Sequence, residues 1–271
     1  MSVIRIDNLH DPRVADYQSV GDAVSLRHRG LFVAEGRLVV ERVIASGRHR
    51  VVSALLSPAS ASALARLLQQ YPEFPAFVCP APEFAGLAGL NLHRGCLALV
   101  ERPVPPPVES LTAQATTVVV LEGVGNPDNL GGIFRNAAAF SVDAVLLGSG
   151  CVDPLYRKAI RTSMGAVLQV PWATIEPWPD GLRALRDRQF AIMALSPRRP
   201  GIALEACAER RPGDRLAVML GAEGEGLTEA ALAHADLRVR IPTTTRVDSL
   251  NVAVASGIAL ARLAPVGELA T

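Results

Sequence analysis

Residues 116–136 read TTVVVLEGVGNPDNLGGIFRN, and this stretch decides the fold of the C-terminal half of the chain. Thr116–Leu121 is an apolar, β-branched run with the length of a buried strand. The loop after it is crowded with Gly, Pro, Asn and Asp, and apolar residues then recur at helical spacing from Leu130 to Phe140. A strand, a loop and a helix in this order predict one unit of an α/β domain.

The same alternation continues on both sides of this stretch. Further strands are predicted at 31–35, 51–56, 76–78, 96–100, 144–147, 190–194, 216–220 and 237–241, and further helices at 36–46, 59–70, 156–163, 181–188 and 250–263. Short apolar strands separated by helices predict a parallel sheet that is buried on both faces in the C-terminal half. The N-terminal half is predicted to be a smaller α/β unit.

The length of 271 residues favours two domains. The boundary is set by Arg102–Pro107, where four prolines favour an extended spacer. We therefore predict an N-terminal domain at 1–100, a linker at 101–113 and a C-terminal domain at 114–271. Residues 1–27 form an N-terminal extension without a clear pattern.

Composition excludes several classes of protein. Hydrophobic residues make up 49% of the chain and mean hydropathy is +0.26, which is typical of packed cores. No apolar run approaches the roughly 18 residues of a membrane span, and the N-terminus is too charged for a signal peptide, so we expect a cytoplasmic protein. The four cysteines are far apart, and their spacing predicts neither a zinc site nor a disulfide framework.

The net charge of +1 and the pI of about 7.8 argue against a strongly basic nucleic-acid-binding protein. They leave room for a local basic patch. Of the 27 basic residues only Lys158 is a lysine, so the positive charge is carried by guanidinium groups, whose planar fork suits phosphate. A biased genome composition explains the same excess of arginine.

Three loops that follow predicted strands carry unusual residues. In α/β folds ligands bind beyond the carboxyl ends of strands, so these loops are the candidate site. The first is 122–136, where Asn129 is predicted to cap the helix and where no G-K-[ST] follows to make a phosphate loop. The second, 221–228, has alternating glycines and two acids, which favour an uncharged or cationic ligand. In the third, 241–252, Ser249 is predicted to cap the last helix. Ordinary capped turns explain each loop taken alone.

Together the three loops resemble the SpoU (TrmH) family of RNA 2′-O-ribose methyltransferases, within the SPOUT superfamily. The resemblance rests on Asn129-x-Gly131-x-x-x-Arg135, on Leu220-Gly221-x-Glu223-x-x-Gly226, and on Ile241-Pro242 followed by Ser249-Leu250-Asn251-Val252. These motifs lie between residues 122 and 260 and match in order and spacing. More loosely, residues 31–57 resemble the substrate-binding domain of many members, which is related to small ribosomal RNA-binding proteins.

The resemblance implies a deep trefoil knot in the C-terminal domain and S-adenosylmethionine as the cofactor. The matching cofactor-binding residues are Leu195, Gly221, Ala222, Gly226, Ile241 and Leu250. It also implies a homodimer, and a substrate that is ribosomal RNA more readily than transfer RNA. A non-catalytic RNA-binding protein of the same fold is an alternative. A nucleotide-binding α/β enzyme is another, which the missing phosphate loop disfavours.

The implied catalytic residues are Arg135, Asn129, Glu223, Ser249 and Asn251. We expect Arg135 to stabilise negative charge on the ribose 2′-oxygen, because a guanidinium is effectively always protonated and is a poor base. Glu223 is expected to orient Arg135 or its own loop, and Ser249 and Asn251 to position the ribose and the first motif.

Two basic clusters are expected to contact RNA phosphates. The predicted RNA-binding residues are Arg29, Arg37, Arg157, Lys158 and Arg161, with Arg48 and Arg50 beside them in sequence and Tyr156 as a residue that could stack on a base. A solvated charged face is an equally good explanation of either cluster.

Overall fold

The computed structural model describes residues 3–87, 95–197, 200–210, 213–244, 246 and 248–264. The chain divides into two compact units. Unit 1 contains Met1–Val104 and Leu155–Gly165, and unit 2 contains Pro105–Pro154 and Ala166–Thr271. The change of unit after Val104 falls within the predicted linker. Residues 155–165, which the sequence assigned to the C-terminal domain, pack instead within unit 1.

The elements are numbered in chain order. The strands are β1 (Val3–Arg5), β2 (Leu31–Glu35), β3 (Val51–Leu56), β4 (Ala76–Val78), β5 (Cys96–Glu101), β6 (Thr117–Leu121), β7 (Ala144–Leu147), β8 (Trp172–Thr174), β9 (Ala191–Leu195), β10 (Ile202–Ala203), β11 (Leu216–Leu220) and β12 (Leu237–Arg240). The α-helices are α1 (Ala23–His28), α2 (Arg37–Ser46), α3 (Pro58–Ala63), α4 (Ala65–Gln70), α5 (Val108–Thr112), α6 (Pro127–Ala139), α7 (Arg157–Thr162), α8 (Arg183–Asp187), α9 (Leu204–Arg210), α10 (Glu229–Leu232) and α11 (Val252–Leu263).

Unit 1 is built on a mixed sheet with the strand order β1-β4-β3-β5-β2. β5 is antiparallel to both of its neighbours, whereas β1, β4 and β3 are parallel. β2 is an edge strand, and both α1 and α7 contact it. The apolar spacing that predicted a helix at 36–46 is realised in α2, whose Val39, Val40, Val43 and Ile44 are buried.

Unit 2 is an α/β fold built on a parallel sheet with the strand order β10-β12-β9-β11-β6-β7-β8. Every described pairing in this sheet is parallel, as the continuous apolar strands predicted. All five residues of β6 and of β11 are buried, because elements cover both faces. Leu220 of β11 is in register with Leu121 of β6 and with Leu195 of β9, so these three strands end at the same level.

Several predicted elements differ in detail. The predicted helix 59–70 is two short helices, α3 and α4, that meet at Leu64. The predicted helix 181–188 is a 3₁₀ turn followed by α8, and the predicted linker contains α5. Strands β8 and β10 are only three and two residues long, which is too short for a recognisable alternation of apolar residues.

The predicted extension 1–27 is structured. It contains β1, a 3₁₀ helix at Pro12–Ser19 and the first residues of α1. Tyr17 and Val14 of the 3₁₀ helix are buried in the core of unit 1, where the Tyr17 hydroxyl lies 2.9 Å from Ser53 Oγ. The 3₁₀ period and the polar sequence explain why helical periodicity did not reveal this segment.

Candidate active site

A cleft lies beyond the carboxyl ends of β9, β11 and β12 in unit 2, and it encloses about 690 Å³ of space open to solvent. Its lining consists of Leu195, Ser196, Pro197, Leu220, Gly221, Ala222, Glu223, Gly224, Gly226, Ile241, Thr243, Ser249, Leu250, Val252 and Ala255. All the residues predicted to bind a cofactor are in this set. Among the described lining residues, Glu223 is the only charged one, so the cleft offers apolar side chains, backbone groups and a carboxylate.

The loop 221–228 folds back on itself tightly. The amide of Gly226 donates to the carbonyl of Ala222 at 3.1 Å. A Cβ atom at Gly221 would lie 2.2 Å from the carbonyl carbon of Gly226, closer than any side chain tolerates. Gly226 has φ of +74°, in the left-handed region that favours glycine. Glycine at 221 and at 226 is therefore required by the shape of the cleft wall.

Asn251 joins all three predicted motifs. Its side-chain amide donates to Asn129 Oδ1 at 2.8 Å and to Glu223 Oε1 at 2.6 Å. Its Oδ1 accepts from the backbone N–H groups of Ala253 and Val254 at the start of α11. The spacing of the motifs gave no distance between them, and the structure brings Asn129, Glu223 and Asn251 into one hydrogen-bonded group at the edge of the cleft.

Both predicted helix caps are wrong by a few residues. Asn126, not Asn129, caps α6, because Pro127 is well suited to the first helical position and the Asn126 side chain accepts from the Asp128 N–H at 2.8 Å. Asn251, not Ser249, caps α11. Each shift has a consequence for the site. Asn129 is free to bond Asn251, and Ser249 is left exposed in the cleft lining.

Helices α6 and α11 approach each other closely. A Cβ at Gly132 would lie 2.7 Å from Cβ of Ala253, and the Asn136 amide donates to the Ala253 carbonyl at 2.7 Å and to Ser256 Oγ at 2.9 Å. The small residues that the sequence placed on the last helix permit this contact. It fixes the position of α6, and with it Arg135, relative to the third motif.

Arg135 is exposed on α6 and makes no hydrogen bond or ion pair with another described residue. It is not among the residues that line the cleft. The carboxylate of Glu223 bonds Asn251 rather than Arg135. Of the five predicted catalytic residues, the structure joins Asn129, Glu223 and Asn251, and it leaves Ser249 in the cleft wall. Arg135 has no acidic partner in the part of the chain that the structure describes.

Glu122 is a part of the site that the sequence analysis did not single out. It directly follows β6 and is 5% exposed. Its carboxylate accepts from the Thr228 N–H at 2.8 Å, from the Thr228 hydroxyl at 2.8 Å and from the Trp178 indole N–H at 2.7 Å. The sequence feature that could have identified Glu122 is the position of an acid directly after a buried strand.

Cys151 lies near the same strand end, and its thiol is 3.4 Å from the carbonyl of Leu121. Burial raises the pKa of the Cys151 thiol. A thiol held in its neutral form is a weak nucleophile, so this cysteine has none of the features of a catalytic one. The polar side chains described at the cleft are therefore amides, hydroxyls and the Glu223 carboxylate, whereas Arg135 lies outside the cleft lining.

Comparisons with known proteins agree with this geometry. The model of the SpoU rRNA Methylase family matches residues 116–261, which contain all three loops. The chain belongs to the SpoU rRNA methylase family. It is an RNA methyltransferase, and S-adenosylmethionine is its methyl donor.

Similar proteins extend beyond the matched domain. An uncharacterised tRNA/rRNA methyltransferase of Mycobacterium tuberculosis is 40% identical over 260 residues, which cover 92% of this chain and 87% of that one. The 23S rRNA (guanosine-2′-O-)-methyltransferase RlmB of Escherichia coli is 31% identical over 62% of this chain and 70% of its own length. The crystal structure of an AdoMet-bound rRNA methyltransferase from Sinorhizobium meliloti has a TM-score of 0.80 at 22% identity, and covers 96% of this chain and 97% of that chain. The last match shows a common fold.

The arginines predicted to bind RNA in this SpoU methylase are largely paired within unit 1. Glu35, at the end of β2, is buried and accepts from Arg157 and, at 3.4 Å, from Arg161. Arg29 is paired with Asp16 at 2.7 Å and Arg50 with Glu101 at 3.0 Å. Lys158 also has a partner. The internal pairing explains the position of Arg157, whose side chain is only 16% exposed.

Arg37 differs from these residues. It is exposed at the first position of α2 and makes no ion pair with another described residue. Contact of any of these residues with RNA stays a prediction. Within the described part of the chain, no group of three or more His, Cys, Asp or Glu side chains is arranged to hold a metal ion, and no helix has the length and apolarity of a membrane span.

Proposed function

We propose that this enzyme transfers a methyl group to a ribose 2′-hydroxyl in structured RNA, and that the substrate is ribosomal RNA. The observation that carries this proposal is the bonded group of Asn129, Glu223 and Asn251 at the edge of a cleft whose described lining is apolar apart from its hydroxyl and backbone groups and the Glu223 carboxylate. The named activity of the Escherichia coli relative, a guanosine-2′-O-methyltransferase of 23S rRNA, supports the same reaction. Transfer RNA is the alternative substrate, since the mycobacterial relative is named for both RNAs.

The residues of the cleft fit S-adenosylmethionine. This ligand has a flat adenine, no phosphate and a positive charge, and the described lining combines apolar side chains with the carboxylate of Glu223 and contains no basic residue. We propose that Gly221, Ile241 and Leu250 contact the cofactor through backbone groups, with Leu195, Ala222 and Gly226 beside them. When bound, the cofactor supplies an electrophilic methyl group.

The chain's own residues then have to hold the ribose and stabilise the charge that grows on its 2′-oxygen. We propose that Asn251 and Ser249 orient the ribose, because Ser249 lines the cleft and Asn251 is held by Asn129 and by Glu223 of the cleft lining. Arg135 supplies the positive charge. Its guanidinium stays protonated, so the proton of the hydroxyl leaves to a substrate phosphate or to water. An arginine that no acid of the described segments neutralises suits this role.

The finer features of the fold are proposals as well. After β12 the chain forms the third motif, whose Asn251 bonds Glu223 of the loop 221–228, and α11 then packs against α6. Helix α6 follows β6, which is three positions from β12 in the sheet. This path supports the deep trefoil knot that the family resemblance implies. We also propose that residues 1–100 recognise RNA, and that residues 114–271 carry the methyltransferase site.

We further propose that the enzyme is a cytoplasmic homodimer that associates through α11. Val254 and Ile258 lie one turn apart on this helix and are 52% and 37% exposed. Apolar side chains at this spacing form one face, and their burial against a second copy is favourable. A sedimentation experiment on the wild type and on a Val254→Asp variant tests this association: a dimer that becomes a monomer supports it, and a monomeric wild type contradicts it.

Mapping of 2′-O-methyl sites in RNA from a deletion strain tests the function. We expect one or more sites in ribosomal RNA to disappear on deletion, to return with the wild-type gene and to stay absent with an Arg135→Ala gene. Loss of a site in transfer RNA instead would establish the alternative substrate. An unchanged pattern in both RNAs would contradict the proposed methyl transfer to a ribose 2′-hydroxyl of these RNAs.

A further inference from the structure

The two ends of the loop 221–228 are held by a single residue, Glu122. Its backbone N–H donates to the carbonyl of Leu220, immediately before the loop, at 3.0 Å. Its carboxylate accepts two bonds from Thr228, the last residue of the loop, each at 2.8 Å. The loop carries Gly221, Ala222, Glu223 and Gly226 of the cleft wall, so its span is fixed from one side by Glu122.

The carboxylate of Glu122 has a third donor from another part of unit 2. The indole N–H of Trp178 donates to Oε1 at 2.7 Å. The Trp178 ring lies against Gly148, the residue after β7, where a Cβ would come within 2.6 Å of the ring. The ring is therefore closely packed against the backbone at Gly148, and this packing fixes the position from which its N–H binds the Glu122 carboxylate. Glu122 therefore braces the loop against a fixed partner.

A buried carboxylate is retained at a cost unless its oxygens are hydrogen-bonded, and bonds to an ionised acceptor are the strong ones. Glu122 satisfies this requirement with three donors, two of which belong to the loop. Neither Thr228 nor Trp178 is in the lining of the cleft. Glu122 and its two partners therefore affect the cleft indirectly, through the position of the loop 221–228.

We propose that Glu122 is a positioning residue that sets the geometry of the loop 221–228 and thereby the affinity for the cofactor. This inference rests on the assignment of the cleft to S-adenosylmethionine. Glutamine at 122 keeps one carbonyl oxygen, but its NH₂ group would meet a donor, either the Thr228 N–H or the group of donors at Oε1. The loop end must then shift, and the cleft wall shifts with it.

A control substitution is available at the amino end of β6, the strand that Glu122 follows. Asp143 accepts from the backbone N–H groups of Thr116 and Thr117 at 2.7 and 2.9 Å and from the Thr116 hydroxyl at 3.2 Å. It therefore braces the amino end of β6 with three acceptor bonds, as Glu122 braces the carboxyl end. Asp143 is exposed and its three bonds all end on Oδ2, so an Asn side chain could still accept them; Asp143→Ala removes all three without touching the loop.

The experiment measures binding of S-adenosylhomocysteine by calorimetry, the KM for RNA and the thermal unfolding of three variants. We expect Glu122→Gln to raise the Kd by about 10-fold, the effect of losing a charge-assisted bond, with the KM for RNA within about twofold of wild type. Trp178→Phe keeps the ring but removes one donor, and should raise the Kd by a smaller factor. Asp143→Ala removes three bonds from the amino end of β6, and should lower the unfolding temperature and leave the Kd within about twofold.

The outcomes separate the possible failures. If the wild type does not bind S-adenosylhomocysteine, the assignment of the cleft is wrong. If the wild type binds and Glu122→Gln binds equally well, the inference is overturned. Equal weakening of binding in Glu122→Gln and Asp143→Ala would also overturn it, because the effect would then follow general stability. Should Glu122→Gln fail to fold, the Kd of Trp178→Phe decides: an unchanged value contradicts the inference.

Discussion

Two regions of the molecule use a carboxylate and an arginine in opposite ways. In unit 1, Glu35 lies at the end of β2 and binds both Arg157 and Arg161. In unit 2, Glu223 follows β11 and binds an amide, Asn251, while Arg135 has no acidic partner among the described residues. A guanidinium that is already neutralised stabilises the fold, whereas one that is not can meet a charge supplied by a substrate. The comparison distinguishes the arginines paired with Glu35, which stabilise unit 1, from Arg135, for which we propose a functional role.

Removal of Arg135 tests the functional side of this comparison most strongly. We expect Arg135→Ala to lower methyl transfer by about 10²–10³-fold, or about 2.7–4 kcal/mol, as for the loss of one donor to a developing oxyanion. Binding of S-adenosylhomocysteine should not change, since Arg135 is not in the cleft lining. Single-turnover kinetics and calorimetry measure the two quantities. Turnover close to wild type would show that Arg135 has no catalytic role.

A substitution in the cleft wall tests whether this cleft binds the cofactor. Gly221→Ala places a methyl group 2.2 Å from a backbone carbon of Gly226, so the loop must open. We expect affinity for S-adenosylhomocysteine to fall by about 100-fold, which corresponds to about 2.7 kcal/mol. The control is Gly213→Ala near the other end of β11, where the nearest atoms would be 3.7 Å away. Equal affinity of the two variants would contradict the proposed cleft.

Neutralising Glu35 tests the structural side. Glu35→Gln leaves Arg157, whose side chain is 16% exposed, without its ionic partner. We expect the free energy of unfolding to fall by about 1–3 kcal/mol, the usual cost of an unsatisfied buried group, while affinity for S-adenosylhomocysteine is unchanged. Chemical denaturation and calorimetry provide both values. A stable variant with weakened cofactor binding would reverse the assignment.

Arg37 gives the smallest effect and sharpens the distinction within unit 1. It is exposed and unpaired among the described residues, so we expect Arg37→Ala to weaken RNA binding by a few-fold and to reduce the salt slope by about 0.7–0.9, the value for one phosphate contact. Arg183→Ala is a suitable control, because Arg183 is 72% exposed and paired with Asp180 in unit 2. Identical salt slopes for the two variants would exclude a phosphate contact at Arg37.

Local patterns predicted much of the fold and the position of the cleft. The apolar strands of unit 2 identified its parallel sheet, and the motif residues Gly221, Ile241 and Leu250 all line one cleft. Both features depend on short segments, whose strand or loop character is encoded locally. The two helix caps differ from the prediction. Pro127 moves the start of α6 to Asn126, and the side chain of Asn251, rather than that of Ser249, caps α11.

Pairings between distant residues could not be predicted in this way. Glu35 and Arg157 are 122 positions apart, and neither one indicates that the other is its partner. The role of Glu122 could not be predicted because its three donor groups belong to Trp178 and Thr228, which lie in other segments. Sequence patterns specify which side chains are available, and the tertiary fold decides which of them are already paired.

The most direct test of the account follows the methyl group itself. The purified chain is incubated with ribosomal RNA and S-adenosylmethionine that carries a deuterated methyl group, and the RNA is digested to nucleosides for mass spectrometry. We predict that the label appears on the ribose of a single kind of nucleoside, as a 2′-O-methyl group, and that Arg135→Ala abolishes most of it. Label on a base, or no transfer by a chain that binds S-adenosylhomocysteine, would contradict the account.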